Sequence, residues 1–246
     1  MARRKASTVA DVFDLSLEGK KPFRPINAAQ ADYLRGIRTS EMVIGTGPAG
    51  SGKTYVAAAH AAELLATKEI DKVILSRPLV TIDDEQIGFL PGKIENKMEP
   101  WTAPIFDVFR ERLGAERTHM LLKEQRIQII PFGFMRGRTF KDALVLIDEA
   151  QNMSPNQAKA LVTRIGDNCT YCINGDLSQS DRKGPNGLAL LLDMIDRHDM
   201  PIPIIEFSER DVVRSPMCKM WVKAFKADDH PVGLPALQEF LTRTYN

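Results

Sequence analysis

The apolar positions along the chain alternate between two spacings. Short runs rich in apolar and β-branched residues occur at EMVIGTG, DKVILSRP, RIQII, ALVLI, CTYCING and PIIEF. DKVILSRP reads as a buried strand, and the continuous apolar run Leu144 to Ile147 is of the kind buried on both faces. Around them lie segments with helical spacing: PINAAQADYLRGI, an alanine-rich stretch from Lys53 to Lys68, WTAPIFDVFRERL, Ala115 to Gln125, SPNQAKALVTRIG, PNGLALLLDMIDRH and SPMCKMWVKAF. The helix after ALVLIDEAQN carries complete start signals, with Ser154 as cap, Pro155 in the first turn and Gln157 closing a capping box. Repeated alternation of strand and helix predicts an α/β fold, a mostly parallel sheet with helices on both faces.

The boundaries follow from where this alternation starts and stops. Residues 1–20 are dominated by charged and small residues and are expected to form a flexible N-terminal arm. Residues 21–246 are expected to form a single domain with a loop insertion near 79–100. The insertion is marked by the turn signals IDDEQ and FLPGK, without a clear period between Leu79 and Gly92. Loops of that length tend to be functional.

Composition narrows the function classes. With 33 Lys and Arg against 32 Asp and Glu, no global basic field draws the protein to nucleic acid or to an anionic membrane, so any nucleic-acid surface must be local. The basic start MARRKASTVADVF lacks the apolar run of a secretory signal. No stretch of about 18 apolar residues is present, so no membrane association is expected. Three cysteines, an odd number, suit a reducing compartment, and a cytoplasmic location is expected. Cys169 and Cys172 form a C-x-x-C, but within a strand residues three apart face opposite ways, so neither a metal nor a redox role is assigned to them.

The candidate chemistry lies at strand ends. GPAGSGKT, comprising Gly47, Pro48, Ala49, Gly50, Ser51, Gly52, Lys53 and Thr54, has every required place of a P-loop and is followed by Tyr55. Glycines let successive N–H groups turn toward phosphate oxygens, and the helix that follows adds its positive end. Lys53 is placed to reach the β and γ phosphates, and Thr54 to ligate magnesium, so ATP and Mg2+ are the expected ligands. LVLIDEAQ then supplies Asp148 as a second magnesium ligand and Glu149 to polarise the attacking water. Two carboxylates after a strand also occur as a solvated turn; a complete P-loop upstream favours the catalytic reading.

In order along the chain, GPAGSGKTY, ILSRP, GFLPG, MRGRT, IDEAQN, VTRIG, NGDLSQ and DVVR resemble the PhoH family of ATPases. The resemblance covers about Pro25 to Phe225. It implies a RecA-like P-loop NTPase core similar to the first core domain of superfamily 1 helicases, with ATP hydrolysis and an RNA-related role. It also implies that Gln30 reads the adenine edge, since an amide offers one donor and one acceptor. Gln179 of NGDLSQ would contact the γ phosphate or the water, with Asp176 fixing its loop.

Arg138, Arg182 and Arg214 are candidates for stabilising charge on the γ phosphate, and Arg214 of RDVVRS fits the family motif best. Ser215 stands where the family usually has histidine, which leaves a second contact there open. DRKGPNGL also departs from the family's pattern. MRGRT, Met135 to Thr139, concentrates arginines that suit the phosphates of a strand. Phe132, Phe134 and Phe140 are either stacking platforms beside it or core.

A helicase closes its cleft with an arginine from a second core, whereas this chain has room for one core. A homo-oligomer, arranged as a ring, is therefore expected. The expected function is ATP-dependent remodelling of single-stranded RNA or DNA. The alternative is a nucleotide-gated switch or assembly ATPase acting on a protein partner. A small-molecule kinase would call for an acceptor pocket, and Glu149 beside Asp148 suits hydrolysis better.

Overall fold

The computed structural model describes residues 22–78, 94–135, 138–182, 184–213 and 215–227. These fall into two compact units that divide between Val212 and Val213. The first holds α1 (Ala28–Thr39), β1 (Met42–Thr46), α2 (Lys53–Thr67), β2 (Lys72–Ser76), α3 (Ile94–Leu113), α4 (Ala115–Lys123) and β3 (Ile127–Ile129). It continues with β4 (Ala143–Ile147), α5 (Pro155–Val162), β5 (Cys169–Gly175), α6 (Gly187–Arg197) and β6 (Ile204–Glu206). The second contributes α7 (Pro216–Ala227), whose first turn is capped by Ser215 Oγ accepting from the Cys218 amide at 3.2 Å.

The six strands lie in the order β3-β2-β4-β5-β1-β6. Every pairing is parallel. This is the α/β fold that the alternation predicts, and its apolar runs explain why the central strands are buried on both faces. Val43, Val73, Leu75, Leu144, Leu146 and Cys172 pack against α1 to α4, together with Tyr33, Leu65, Phe109 and Leu121. Their strand neighbours Ile44, Ile74, Val145, Ile147, Tyr171 and Ile173 pack on the opposite face against α5 and α6, with Met153, Leu161, Leu188 and Ile195.

Cys169 belongs to the second face and Cys172 to the first, so the pair is split by the sheet as its spacing requires. Both thiols are free and buried, and burial pushes that of Cys172 up to about 12. No cluster of three or more metal-ligating His, Cys, Asp or Glu occurs among the described residues. Nor is any described helix long and apolar enough to cross a membrane.

Two expectations shift at their boundaries. Ile94 onward is helical, so the far end of the expected insertion near 79–100 is the start of α3; residues 79–93 lie outside the described residues, as does the arm at 1–20. Helix α4 ends at Lys123 rather than Gln125, because Gln125 takes a left-handed backbone at φ 55° and turns the chain into β3.

The capping box of α5 forms in full: Gln157 N–H donates to Ser154 Oγ at 3.2 Å, and the Ser154 amide donates to Gln157 Oε1 at 2.8 Å. This fixes the start of an eight-residue helix directly after the IDEAQN segment. Ser154→Ala should lower stability by about 1 kcal/mol. The check is the midpoint of urea unfolding, and an unchanged midpoint would contradict it.

Candidate functional site

Parallel pairing brings the C-terminal ends of β1, β2, β4 and β5 to one edge of the sheet, where ligands of open α/β sheets bind. The loop from Gly47 to Gly52 leaves β1 there. Three of its glycines have positive φ: Gly47 at 120°, Gly50 at 80° and Gly52 at 93°. At Gly47 the need for glycine is also steric, since a Cβ would lie 2.0 Å from the Phe207 carbonyl oxygen. Ser51 is buried, and its hydroxyl donates to the Pro48 carbonyl at 2.8 Å, tightening the loop from within.

Gln30 braces the same loop from α1. Its Nε2 donates to the Ser51 carbonyl at 3.1 Å, and its Oε1 accepts from the Ile26 amide at 3.2 Å. A Cβ on Gly52 would meet that amide nitrogen at 2.5 Å. The side chain is buried, does not line the cleft beside the loop, and spends its amide on protein backbone.

Lys53 opens α2 and folds its ammonium over the loop, donating to Gly47 O at 2.6 Å, Pro48 O at 2.9 Å and Ser51 Oγ at 3.2 Å. Burial lowers its pKa, against the opposing pull of the Asp176, Asp148 and Glu149 carboxylates. One residue on, Thr54 Oγ1 donates to Asp148 Oδ1 at 2.7 Å. The Asp148 backbone is itself anchored, its amide donating to the Ser76 carbonyl at 3.0 Å. Burial raises the Asp148 carboxyl above its ordinary range, and the Thr54 hydrogen bond works the other way.

Glu149 follows in a left-handed backbone, φ 55° and ψ 40°. This conformation is uncommon for a residue with a Cβ, and strain of this kind clusters at functional sites. Gln151, only 1% exposed, connects this segment to the next: its Nε2 donates to Glu149 Oε2 at 2.5 Å, and its Oε1 accepts from the Asp176 amide at 3.0 Å. In NGDLSQ, Asp176 accepts from the Ser178 amide at 3.0 Å and from Gln179 Nε2 at 2.8 Å, which fixes the turn that carries Gln179.

The resulting cleft has a volume of about 260 Å³ and is lined by the loop, Lys53, Thr54, Tyr55, Asp148, Glu149, Asp176 and Gln179. Tyr55 stands at its margin, its hydroxyl donating to Glu111 at 2.9 Å and its ring edge-on to Phe23. Among the described residues, Lys53 is the sole cation in the lining. Neither Arg138, which is exposed, nor Arg182, which donates to the Pro185 carbonyl at 3.0 Å, lines the cleft. Arg214 lies outside the described residues.

The residues present fit a magnesium-bound triphosphate. The loop turns on glycines of positive φ, a lysine ammonium lies against it, and a hydroxyl and a carboxylate already meet at hydrogen-bond distance. Hard oxygen donors of that type suit magnesium. The volume suits the phosphates rather than a whole nucleotide, so the base would lie beyond the cleft.

The aromatic residues around MRGRT divide. Phe132 and Phe140 are core, packed on the second face of the sheet, whereas Phe134 is 59% exposed. Arg136 and Gly137 lie outside the described residues. Beside Phe132 runs a groove of about 640 Å³ lined by Asn156, Gln157, Lys159, Thr163 and Arg164 among others, with no Asp or Glu in its described lining.

Sequence reasoning did not single out Gln151 or Arg77 as site residues, although both stand inside quoted motifs, IDEAQN and ILSRP. Arg77 Nη2 lies 3.7 Å from Glu149 Oε1. A polar residue two positions after a carboxylate pair was the available signal for Gln151, and a cation immediately after a buried strand for Arg77.

Burial of the Asp148 carboxyl, which raises its pKa, sets the sign of its effect on stability. A buried acid whose folded pKa exceeds its unfolded value costs stability as pH rises from the unfolded pKa, about 4, through the folded one. Asp148→Asn should therefore raise the melting temperature at neutral pH without magnesium, with a gain that shrinks below about pH 4. Melting curves at both pH values check this; a lower melting temperature for the variant at neutral pH would contradict it.

Comparison with known proteins agrees with this geometry. The chain is 40% identical over 208 residues to "Protein PhoH" of Escherichia coli (strain K12), covering 83% of this chain and 58% of that protein. It is 40% identical over 207 residues to a "PhoH-like protein" of Bacillus subtilis (strain 168), covering 83% and 64%. The chain thus spans about three fifths of the length of the curated relatives it matches. Among solved structures it is similar to the large terminase from a thermophilic bacteriophage, with a TM-score of 0.51 at 14% identity over 81% of this chain and 50% of that one, a likeness of fold. The family described as PhoH-like protein matches residues 22–226, and with the parallel sheet and the P-loop geometry this identifies the chain as a member of the PhoH family, built on a RecA-like P-loop NTPase core.

Proposed function

We propose that this chain binds ATP with magnesium and hydrolyses it, and that hydrolysis drives the remodelling of single-stranded nucleic acid, RNA in the first instance. The observation that carries the first half is the meeting of Thr54 Oγ1 and Asp148 Oδ1 at 2.7 Å beside the Lys53 ammonium and the Glu149 carboxylate. Magnesium held by Thr54 and Asp148 would supply the positive charge that offsets the charge developing on the phosphates. Lys53 would exchange its loop carbonyls for phosphate oxygens, and the loop amides would orient them. Glu149 would take the proton of the attacking water. Gln179, steered by Asp176, would sense the γ phosphate.

The nucleic-acid half is supported by Phe134, exposed beside a groove whose described lining has Lys159 and Arg164 and no carboxylate. An exposed aromatic ring next to cations suits a stacked base with its phosphates. An arginine set against the γ phosphate would stabilise the charge that builds there in the transition state, and in a homo-oligomer a neighbouring copy would supply it.

The test is phosphate release with and without single-stranded RNA across a range of salt. We expect turnover that RNA stimulates, and a fall on the order of 10²- to 10⁴-fold in Glu149→Gln with nucleotide binding retained. Turnover untouched in Glu149→Gln would remove the catalytic assignment. Equal rates with and without RNA would favour a switch acting on a protein partner. Separately, Phe134→Ala should weaken oligonucleotide binding by about 1–3 kcal/mol without altering melting temperature. Anisotropy titration with a labelled oligo(U) measures this, and unchanged affinity would place the strand elsewhere.

A further inference from the structure

Glu149 is restrained on both carboxylate oxygens. Oε2 accepts from Gln151 at 2.5 Å, and Oε1 faces the Arg77 guanidinium at 3.7 Å. The two restraints differ in kind. Gln151 is 1% exposed and tied to the Asp176 amide, so it is a fixed anchor. The Arg77 side chain is 33% exposed, follows the last residue of β2, and reaches Glu149 without lining the cleft. One restraint therefore belongs to the built site, and the other is within reach of something arriving from outside.

A general base must present an oxygen to the water it deprotonates. A carboxylate oxygen drawn toward a guanidinium is turned away from that task. Exposed ion pairs are weak, so a modest competing charge suffices to break this one. A guanidinium fork matches a phosphate as well as it matches a carboxylate.

We propose that Arg77 is a positioning residue that holds Glu149 in a resting orientation, and that a phosphodiester of a bound single strand takes the guanidinium and frees Oε1. The freed oxygen then accepts a proton from water as the water oxygen bonds to the γ phosphorus and the bond from that phosphorus to the β–γ bridging oxygen breaks. ADP leaves, with inorganic phosphate as the other product. Strand binding and hydrolysis are thereby coupled through one side chain. This proposal rests on the hydrolytic reading of the site.

The test uses the full chain with Arg77→Ala and Arg77→Lys. Turnover number and KM for ATP are measured with and without oligo(U), together with oligo(U) affinity against salt by anisotropy. Arg77→Ala is expected to raise the RNA-free turnover number by about two- to fivefold, the range an exposed ion pair spans. KM for ATP should stay unchanged and stimulation by RNA should fall toward one. Its log–log salt slope for oligo(U) should be shallower by about 0.7, one phosphate contact on a single strand. Arg77→Lys, which keeps the charge, should restore the low RNA-free rate.

An RNA-free turnover in Arg77→Ala that falls or does not move would overturn the proposal. If the wild type hydrolyses ATP but ignores RNA, the nucleic-acid reading fails, while a rise in Arg77→Ala would still support the resting hold. A wild type no more active than Lys53→Ala defeats the hydrolytic reading and this proposal with it.

Discussion

One hydrogen bond joins the two halves of the site. The Thr54 hydroxyl, in the first turn of α2, donates to Asp148 at the end of β4 at 2.7 Å. It spans from the helix that follows β1 to a strand that is not β1's neighbour, because β5 lies between them. The contact exists only if the sheet order is right, if α2 starts at Lys53, and if β4 ends at Ile147. The loop glycines, the Ser51 and Gln30 braces and the amide of Asp148 on Ser76 all fix those starting points. The chemistry of the cleft is in this sense a consequence of backbone register.

The electrostatics follow from placing that contact in a confined space. Burial works against the charge on Lys53 and also against the charge on Asp148, and each of the two ions partly offsets the cost to the other. A site so arranged favours a ligand that brings both signs, as a metal-bound polyphosphate does. Glu149, in a left-handed backbone and gripped by a buried amide, is set apart from Asp148 although adjacent in sequence. The two adjacent carboxylates thus face different partners, Asp148 the Thr54 hydroxyl and Glu149 the Gln151 amide.

How much of this was legible beforehand depended on whether a residue's role is set locally. The P-loop, the capping box at Ser154 and the opposite facing of Cys169 and Cys172 all follow from spacing within a few residues, and the structure places each accordingly, whereas the DE pair gains meaning only from the P-loop far upstream. The brace that Gln30 gives the loop was not legible, because only tertiary contact brings the Ser51 carbonyl to its amide. The three phenylalanines near MRGRT look alike in sequence; a one-turn 3₁₀ helix over Phe132–Phe134 sends the first inward and the last outward. Arg77 and Gln151 were hidden for a related reason, since the ion pair links the ends of two strands and the amide links two motifs that meet only in the fold.

Thr54 and Asp148 together would form the seat for magnesium with the triphosphate. This is tested most directly by calorimetric titration of a non-hydrolysable ATP analogue into wild type and Thr54→Val, each with magnesium and with EDTA. Magnesium should tighten binding to the wild type, this gain should disappear in Thr54→Val, and the two proteins should bind alike in EDTA. A magnesium-dependent gain of equal size in both would contradict it.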